Sequence, residues 1–152
     1  MFNIQFKTIY YFSISTFLFI VDQLSKYLIN INFASLVNQD YILFKIDFVK
    51  NYGAAFNILS GNRLILSFIS LFISILLVYL IIKQNKYHNL DLYSYSFILG
   101  GTLGNGVDRI FKGYVIDFIN LNFKNFPVFN IADISINIGF FLLMYSFIRN
   151  KK

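Results

Sequence analysis

The stretch from Gly100 to Asp133 decides how this chain folds. It begins GGTLGNGVDR (100–109), continues GYVIDFI (113–119) and ends PVFNIAD (127–133). Most of the remaining chain is apolar, whereas this stretch concentrates amide and charged side chains. A charge beside or inside a membrane span is costly unless it faces a partner or water, so such residues are candidates for a functional site. Two of them, Asp117 and Asp133, flank a short connecting segment.

The composition indicates a membrane protein of one domain. The 152 residues are 57% hydrophobic and 13% charged, against about 25% charged in an average soluble domain. The sequence has no cysteine, and its one histidine, His88, has no second histidine with which to share a metal, so no cofactor is expected. The net charge of +6 suits anionic lipid. The basic residues are scattered, which argues against nucleic acid as a partner.

Four runs are candidates to cross a bilayer, which takes about 20 residues. They cover residues 9–29, 64–83, 92–111 and 129–148, and the third is the weakest because it carries glycines and polar side chains. The first run resembles a cleaved signal peptide in its apolar character, but it contains Asp22 and Lys26 and no small-residue cleavage site. These two side chains lie four residues apart, which allows an ion pair. An interfacial pair that merely satisfies itself is the alternative.

The segment between the first two spans, residues 30–63, has a mixed pattern. The alternation in YILFKIDFV (41–49) favours strands, so we predict an all-α membrane protein of four transmembrane helices with a small β-structured cradle in this loop. In NYGAAFN (51–57), Gly53 and Ala54 allow the backbone to approach another group closely, and Asn51 can both donate and accept hydrogen bonds. A tight turn explains the same residues without a function. Residues 112–128 are predicted to form an outer flap.

Four spans place both termini on one side of the membrane. The basic residues at the termini and beside the 84–91 connector favour the cytoplasm for that side. The first and third helices then run outward, and the second and fourth run inward. The polar candidates consequently lie at one depth, near the outer face: Asp22, segment 51–57, Asn105, Asp108, Arg109, Asp117, Asn130 and Asp133. This grouping favours a functional role for them.

Two neighbouring carboxyl groups can hydrolyse a peptide bond without a metal, cysteine or histidine. Because both cannot ionise easily, they share a proton. One then takes a proton from water while the other polarises the carbonyl or protonates the leaving amine. Spacing alone leaves alternatives open. Asn130 and Asp133 also fit a capping box at a helix start, and an ion-handling or purely structural membrane protein would carry similar residues.

The sequence resembles the lipoprotein signal peptidases, also called signal peptidase II, along nearly its whole length. The resemblance lies in ordered blocks: VDQLSKYLI (21–29), NYGAAFNIL (51–59), GGTLGNGVDRI (100–110), GYVIDFI (113–119) and VFNIADISINIG (128–139). It implies a polytopic aspartic peptidase of the bacterial inner membrane. Such an enzyme cleaves the signal peptide from prolipoproteins just before a cysteine that already carries a diacylglyceryl group.

The resemblance implies that Asp117 and Asp133 form the catalytic dyad. The candidates for supporting the dyad or contacting substrate are Asp22, Lys26, Asn51, Gly53, Ala54, Asn105, Asp108, Arg109, Asn130 and Ala132. Asp108 is expected to hold the architecture through an ion pair with a nearby arginine. The expected partners are diacylglyceryl-modified prolipoproteins and membrane lipids, and the enzyme is expected to be monomeric.

Three positions depart from the family's usual pattern. Gly106 stands where a larger apolar residue is usual, Thr102 where alanine is common, and Asn57 where a smaller residue is usual. None of them removes a proposed catalytic group, so they bear on helix packing and on the shape of the pocket.

Overall fold

A bundle of four long helices and a two-stranded sheet form the structure, a computed structural model that describes residues 4–36, 41, 44–54, 58–124 and 126–150. The long helices are α1 (Ile4–Ile31), α3 (Arg63–Ile82), α4 (Asn89–Phe111) and α5 (Ile131–Arg149). A short helix, α2 (Phe33–Leu36), follows α1, and a 3₁₀ turn (Gln84–Lys86) joins α3 to α4. The strands are β1 (Lys45–Asn51) and β2 (Val115–Asn120). Asn57, one of the departures, lies outside the described residues.

Three helices are long and apolar enough to cross a membrane: Gln5–Ile31, Arg63–Ile82 and Ile131–Arg149. Their outer faces carry large apolar side chains, and Phe17, Phe68 and Phe141 are all at least 64% exposed. Apolar surface on this scale suits contact with lipid. By hydropathy, therefore, the structure supports three of the four predicted spans, and α4 is the exception.

The polar character of α4 follows from its position. It packs against α1, α3 and α5, so much of its surface meets protein instead of lipid. Gly101 lies against the backbone carbonyl of Ala132, and Gly104 lies against the Asp22 carboxylate. A Cβ atom fits at neither position, which is how small residues let helices approach closely.

The contacts between helices give their relative directions. Four of these contacts join Ser15 to Gly100, Lys26 to Asp108, Gly101 to Ile136 and Gly139 to Ile98. The residue numbers rise together along α1 and α4, so these two helices are parallel. They run in opposite senses along α4 and α5, so that pair is antiparallel. The carboxyl ends of α1 and α4 therefore share one end of the bundle with the start of α5.

The opposite half of the bundle is an apolar core. Tyr11, Leu77, Ile81, Leu92 and Leu99 form a buried cluster there, contributed by α1, α3 and α4. The polar end and the apolar half are thus separated along the length of the same helices.

The sheet lies at the polar end and draws its two strands from two different loops. β1 and β2 are antiparallel, with Asn51 opposite Val115 and Val49 opposite Asp117. The predicted cradle lay in the first loop alone, whereas that loop supplies only β1. The second strand comes from the predicted flap, residues 112–128. The sequence does not indicate β2 as a strand, because residues 115–118 are all buried and show no polar–apolar alternation.

A glycine connects α4 to this sheet. Gly113 has a φ of +83°, a left-handed conformation that suits glycine just after a helix. Its N–H donates to the carbonyl of Asp108 at 3.2 Å. The chain therefore turns sharply out of α4 and enters β2 directly.

Candidate active site

The two acids of the 113–133 segment meet because the chain folds back beside β2. Asp117 lies in the middle of β2, and Asp133 lies in the first turn of α5. Phe129 pairs antiparallel with Ile119, which brings the start of α5 next to the strand. The Asn130 side chain then reaches the first acid, and its Nδ2 donates to Asp117 Oδ1 at 2.6 Å.

Asn130 also holds Asp133. Its backbone N–H donates to Asp133 Oδ2 at 3.1 Å, and its Oδ1 accepts from the backbone N–H of Asp133 at 2.9 Å. The capping box that the sequence left open as an alternative is therefore present. It does not exclude a functional site, because the same residue positions both carboxyl groups.

Two amides from other elements complete the environment of the pair. Asn51, at the end of β1, donates from Nδ2 to Asp117 Oδ2 at 2.9 Å. Asn105, on α4, donates from Nδ2 to Asp133 Oδ1 at 2.8 Å. All four carboxyl oxygens thus accept a hydrogen bond, which fixes the orientation of both groups.

The electrostatic environment of Asp117 favours holding a proton. Its side chain is only 2% exposed. Burial and, to a smaller extent, the neighbouring carboxylate of Asp133 raise the pKa of Asp117 to about 6, although the N–H donors of Asn51 and Asn130 lower it. A carboxyl group with a pKa near neutrality can both hold and release a proton, as general acid–base catalysis requires.

A buried ion network lies behind this pair. The Lys26 ammonium is 2.7 Å from Asp22 Oδ2 and 2.8 Å from Asp108 Oδ2, and all three side chains are fully buried. The ion pair that the spacing of Asp22 and Lys26 allowed is therefore present. Asp108 pairs with Lys26 and Lys112, each at 2.8 Å, and the expected arginine partner is wrong. The parallel packing of α1 on α4 places Lys26 beside Asp108, and Lys112, the residue that caps the end of α4, follows four residues later.

Arg109 instead fastens the loop that follows β1. Its Nη2 donates to the carbonyl of Gly53 at 2.9 Å, and the Gly53 N–H donates to Asn51 Oδ1 at 2.8 Å. The close approach expected at Gly53 is therefore made by an arginine of α4. The second contact is also a tight Asx turn, and it leaves Asn51 Nδ2 directed at Asp117.

Asp22 contacts the start of α5 in addition to its ion pair with Lys26. Its Oδ1 accepts from the backbone N–H of Ala132 at 2.9 Å, a first-turn donor that has no partner within the helix. Gln23, which the sequence candidates omit, donates to Asp22 Oδ2 and to the carbonyl of Gly104, both at 3.2 Å. Its place next to Asp22 inside an apolar run is the signal that would have identified it.

The carboxyl pair opens into a large cavity of about 1030 Å³. Asn51, Ala54, Asn105, Arg109, Asp117 and Asp133 lie in its polar wall. The rest of the wall is mostly apolar, and α3, α4 and α5 contribute Ile73, Ile98, Ile134, Ile138 and Phe141 to it. The described residues contain no group of three or more acidic or histidine side chains that could hold a metal ion. The arrangement suits hydrolysis of an extended, partly apolar chain by a carboxyl pair.

One of the family departures lines this cavity, and another lies against a residue that does. Thr102 is in its wall. A Cβ atom at Gly106 would lie 3.0 Å from the Cβ of Ser70, which lines the cavity from α3. Glycine at this position therefore lets α3 lie close to α4.

The fold and the site define a helical membrane protein with a pair of carboxyl groups, Asp117 buried and Asp133 half-buried, at the polar end of a mostly apolar cavity. Residues 14–149 match the family described as signal peptidase (SPase) II. The lipoprotein signal peptidase of Francisella tularensis subsp. novicida (strain U112) is 40% identical over 151 residues, which cover 93% of each chain. That of Enterococcus faecalis (strain ATCC 700802 / V583) is 34% identical over 144 residues, covering 93% of this chain and 89% of the relative.

A solved structure has the same fold. It is described as a bacterial membrane enzyme determined by the in meso method at 2.3 Å resolution, and it matches with a TM-score of 0.84 and 34% identity over 93% of this chain and 89% of the other. This chain belongs to the signal peptidase II family, which makes it a peptidase of a bacterial membrane. The family resemblance in the sequence blocks is thereby confirmed.

Proposed function

We propose that this chain is an intramembrane aspartic endopeptidase that removes signal peptides from diacylglyceryl-modified prolipoproteins, cleaving just before the lipidated cysteine. The observation that carries the proposal is the cavity, which has Asp117 and Asp133 in its polar wall and three helices in its apolar wall. The relatives are named lipoprotein signal peptidases, which supports this substrate class. Neither a cofactor nor a metal is required by the chemistry.

In the proposed reaction one water molecule attacks the carbonyl carbon of the scissile peptide. Asp133 accepts a proton from that water, and Asp117, which a pKa of about 6 favours as the initial proton holder, donates a hydrogen bond to the carbonyl oxygen. A proton then passes to the leaving amine as the C–N bond breaks. The products are a carboxylic acid and an amine, and the pair again holds one proton.

Arg109 is the proposed anchor for the substrate backbone. It lies in the cavity wall, and its Nη2 is already used by Gly53. Its buried Nε has no hydrogen-bond partner within the described part of the chain. Because the guanidinium lies in the cavity wall and carries five N–H donors, a carbonyl of the bound peptide is the acceptor that we assign to Arg109.

The proposed arrangement in the membrane has four spans, with α4 as the third. Its 23 residues extend about 34 Å at 1.5 Å per residue, enough to cross the hydrocarbon core. Both termini then lie in the cytoplasm, and the site lies near the outer face of the inner membrane. The substrate enters sideways between α3 and α5 while its acyl chains remain in lipid, and the enzyme acts as a monomer.

The reaction is tested with purified protein in detergent and a diacylglyceryl-modified prolipoprotein, beside the same precursor without lipid. We expect cleavage of the lipidated form alone, with the modified cysteine at the new N-terminus by mass spectrometry. Asp117→Asn should abolish it. Asp47→Asn is the matched control, because Asp47 lies on the partner strand and pairs with Lys45 at 3.4 Å. Cleavage by Asp117→Asn, or none by folded wild type, would refute the proposal.

The topology is tested separately, because the sequence has no cysteine and single cysteines can be introduced cleanly. Lys86→Cys lies in the connector between α3 and α4, and Lys124→Cys lies between β2 and α5. A membrane-impermeant maleimide added to intact spheroplasts should label position 124 and leave position 86 unlabelled until the membrane is broken. The reverse result would invert the proposed orientation.

A further inference from the structure

We infer that Lys26 is a positioning residue for the proposed reaction: its ammonium fixes the orientation of the Asn105 amide, and through it the hydrogen bonds to both carboxyl groups. The inference rests on the function proposed above and concerns how this chain builds that site. Lys26 does not line the cavity, whereas Asn105 does. Lys26 therefore acts through a neighbour and not by touching the substrate.

The surroundings of the Lys26 ammonium are electrically balanced. Its Nζ meets Asp22 Oδ2 at 2.7 Å, Asp108 Oδ2 at 2.8 Å and Asn105 Oδ1 at 3.0 Å. The second charge of Asp108 is offset by Lys112, at 2.8 Å from Oδ1. Two lysines thus balance two aspartates. The only uncharged group that Lys26 holds in this set is the amide oxygen of Asn105.

That contact decides which way the Asn105 amide faces. An ammonium has only donors, so the amide oxygen must point to Lys26 and the amide nitrogen must point away. The nitrogen then donates to Asp133 Oδ1 at 2.8 Å. The flipped amide would set N–H groups against the ammonium and an oxygen against the Asp133 carboxylate, which makes two repulsive contacts in place of two hydrogen bonds.

The orientation of the Asn105 amide also affects the hydrogen bonds to Asp117. Asn105 Oδ1 also accepts from Asn130 Nδ2 at 3.2 Å, and that same nitrogen donates to Asp117 Oδ1 at 2.6 Å. The Asn130 oxygen is held by the backbone N–H of Asp133. Lys26 and Asn130 therefore both donate to the Asn105 oxygen, while Asn105 donates to Asp133 and Asn130 donates to Asp117.

Lys112 provides the matched control for the test. It is a lysine on the same carboxylate at the same distance of 2.8 Å, but none of its described contacts reaches Asn105. Lys26→Met and Lys112→Met each remove one ammonium from Asp108. A structural role in neutralising Asp108 predicts a loss for both variants, smaller for Lys112, whose side chain is 38% exposed, whereas a positioning role predicts an effect on turnover for Lys26→Met alone.

The experiment measures kcat and KM for cleavage of the lipidated precursor, with thermal unfolding in detergent as the check on folding. We expect Lys26→Met to lower kcat by about 100-fold, the cost of a misplaced catalytic group, with KM changed by less than about twofold. Lys112→Met should keep kcat near the wild-type value. In an Asn105→Ala background, adding Lys26→Met should change kcat little, since its route to the carboxyl pair is already lost.

A full loss of kcat from Lys26→Met in the Asn105→Ala background would overturn the inference, as would equal losses from the two lysine variants. If Lys26→Met alone does not fold, Lys26→Met/Asp22→Asn keeps the buried charges balanced, because Asp108 retains Lys112, and Asp22→Asn is its reference. A kcat for the double variant equal to that of its reference would also overturn the inference. Failure of the proposed function would appear differently, as absence of cleavage by the wild type.

Discussion

The starts of α4 and α5 carry the same local motif at opposite ends of the bundle. At α4 the backbone N–H of His88 donates to Asp91 Oδ2 at 3.1 Å, and at α5 that of Asn130 donates to Asp133 Oδ2 at 3.1 Å. Both aspartates are half-buried. They differ in what else they meet, because Asn105 from another helix donates to the remaining oxygen of Asp133.

This comparison explains why a capping motif does not by itself indicate function. The cap satisfies a backbone donor and complements the helix dipole at either end. Only the Asp133 carboxyl faces a second acid and a cavity. Other polar side chains near the start of α4 make only local contacts of this kind: Ser94 and Ser96 donate to carbonyls four residues earlier in the same helix.

The largest expected difference between the two motifs is in kcat, when Asp133 or Asp91 is replaced by asparagine. Asp133→Asn is expected to lower kcat by about 10⁴-fold, because it removes the proposed base. Asp91→Asn, the same change in the same local motif, should leave kcat near the wild-type value. The measurement is cleavage of the lipidated precursor, with thermal unfolding as the folding check. Comparable losses in both variants would mean that the cap, and not the carboxyl pair, is what Asp133 contributes.

Replacing either of two glycines by alanine should disturb helix packing, but only the replacement near the site should lower turnover. Gly104→Ala places a Cβ against the Asp22 carboxylate, and Gly139→Ala places one 2.7 Å from Ile98 Cγ1 and 2.8 Å from the Ser94 carbonyl. Both should destabilise the fold by about 1–3 kcal/mol. Gly104→Ala should also lower kcat by about tenfold, since it displaces Asp22 and the network behind the site.

The check on the glycine variants is kcat per folded enzyme together with the unfolding temperature. If Gly139→Ala lowers kcat as much as Gly104→Ala does, strain spreads through the whole bundle. The separation between the polar end and the apolar half would then be wrong.

The pH dependence of kcat should show whether Asp117 holds the shared proton. Because the pKa of Asp117 is about 6, a rise in pH above that value removes the shared proton, and kcat should fall. Asn51 donates to Asp117 and lowers its pKa, so Asn51→Ala should raise that pKa and move the alkaline limb of the kcat profile to higher pH. Asn120→Ala is the control, as Asn120 Nδ2 donates to Asp47 at 2.7 Å. An unmoved limb in Asn51→Ala would exclude Asp117 as its source.

Much of this site could be predicted because it depends on local spacing. Asp22 and Lys26 are four residues apart on one helix, and Asn130 and Asp133 are three apart at a helix start, so each contact is visible in the sequence. Both contacts are present in the structure. The apolar runs likewise indicated the long helices, because 20 apolar residues have few alternatives to a span.

What could not be predicted depends on contacts between distant segments. β2 pairs with a strand more than 60 residues earlier in the chain, and its buried residues give no alternation. The partners of Asp108 depend on the parallel packing of α1 on α4, which no local spacing records. The polarity of α4 similarly reflects its position among three other helices, which its own run of residues does not record.

The smallest expected effect measures how much stability the capping contact contributes by itself. Asp91→Ala removes the acceptor for the His88 N–H and the acid in the first turn of α4, which should cost about 0.3–1 kcal/mol of stability and leave kcat unchanged. Asp91→Glu should restore most of that stability, since glutamate can make the same reciprocal contact. Thermal unfolding in detergent measures both. Because Asp133 makes the same backbone contact at 3.1 Å, any stability that Asp133→Ala loses beyond the Asp91→Ala value reports its bonds to other elements.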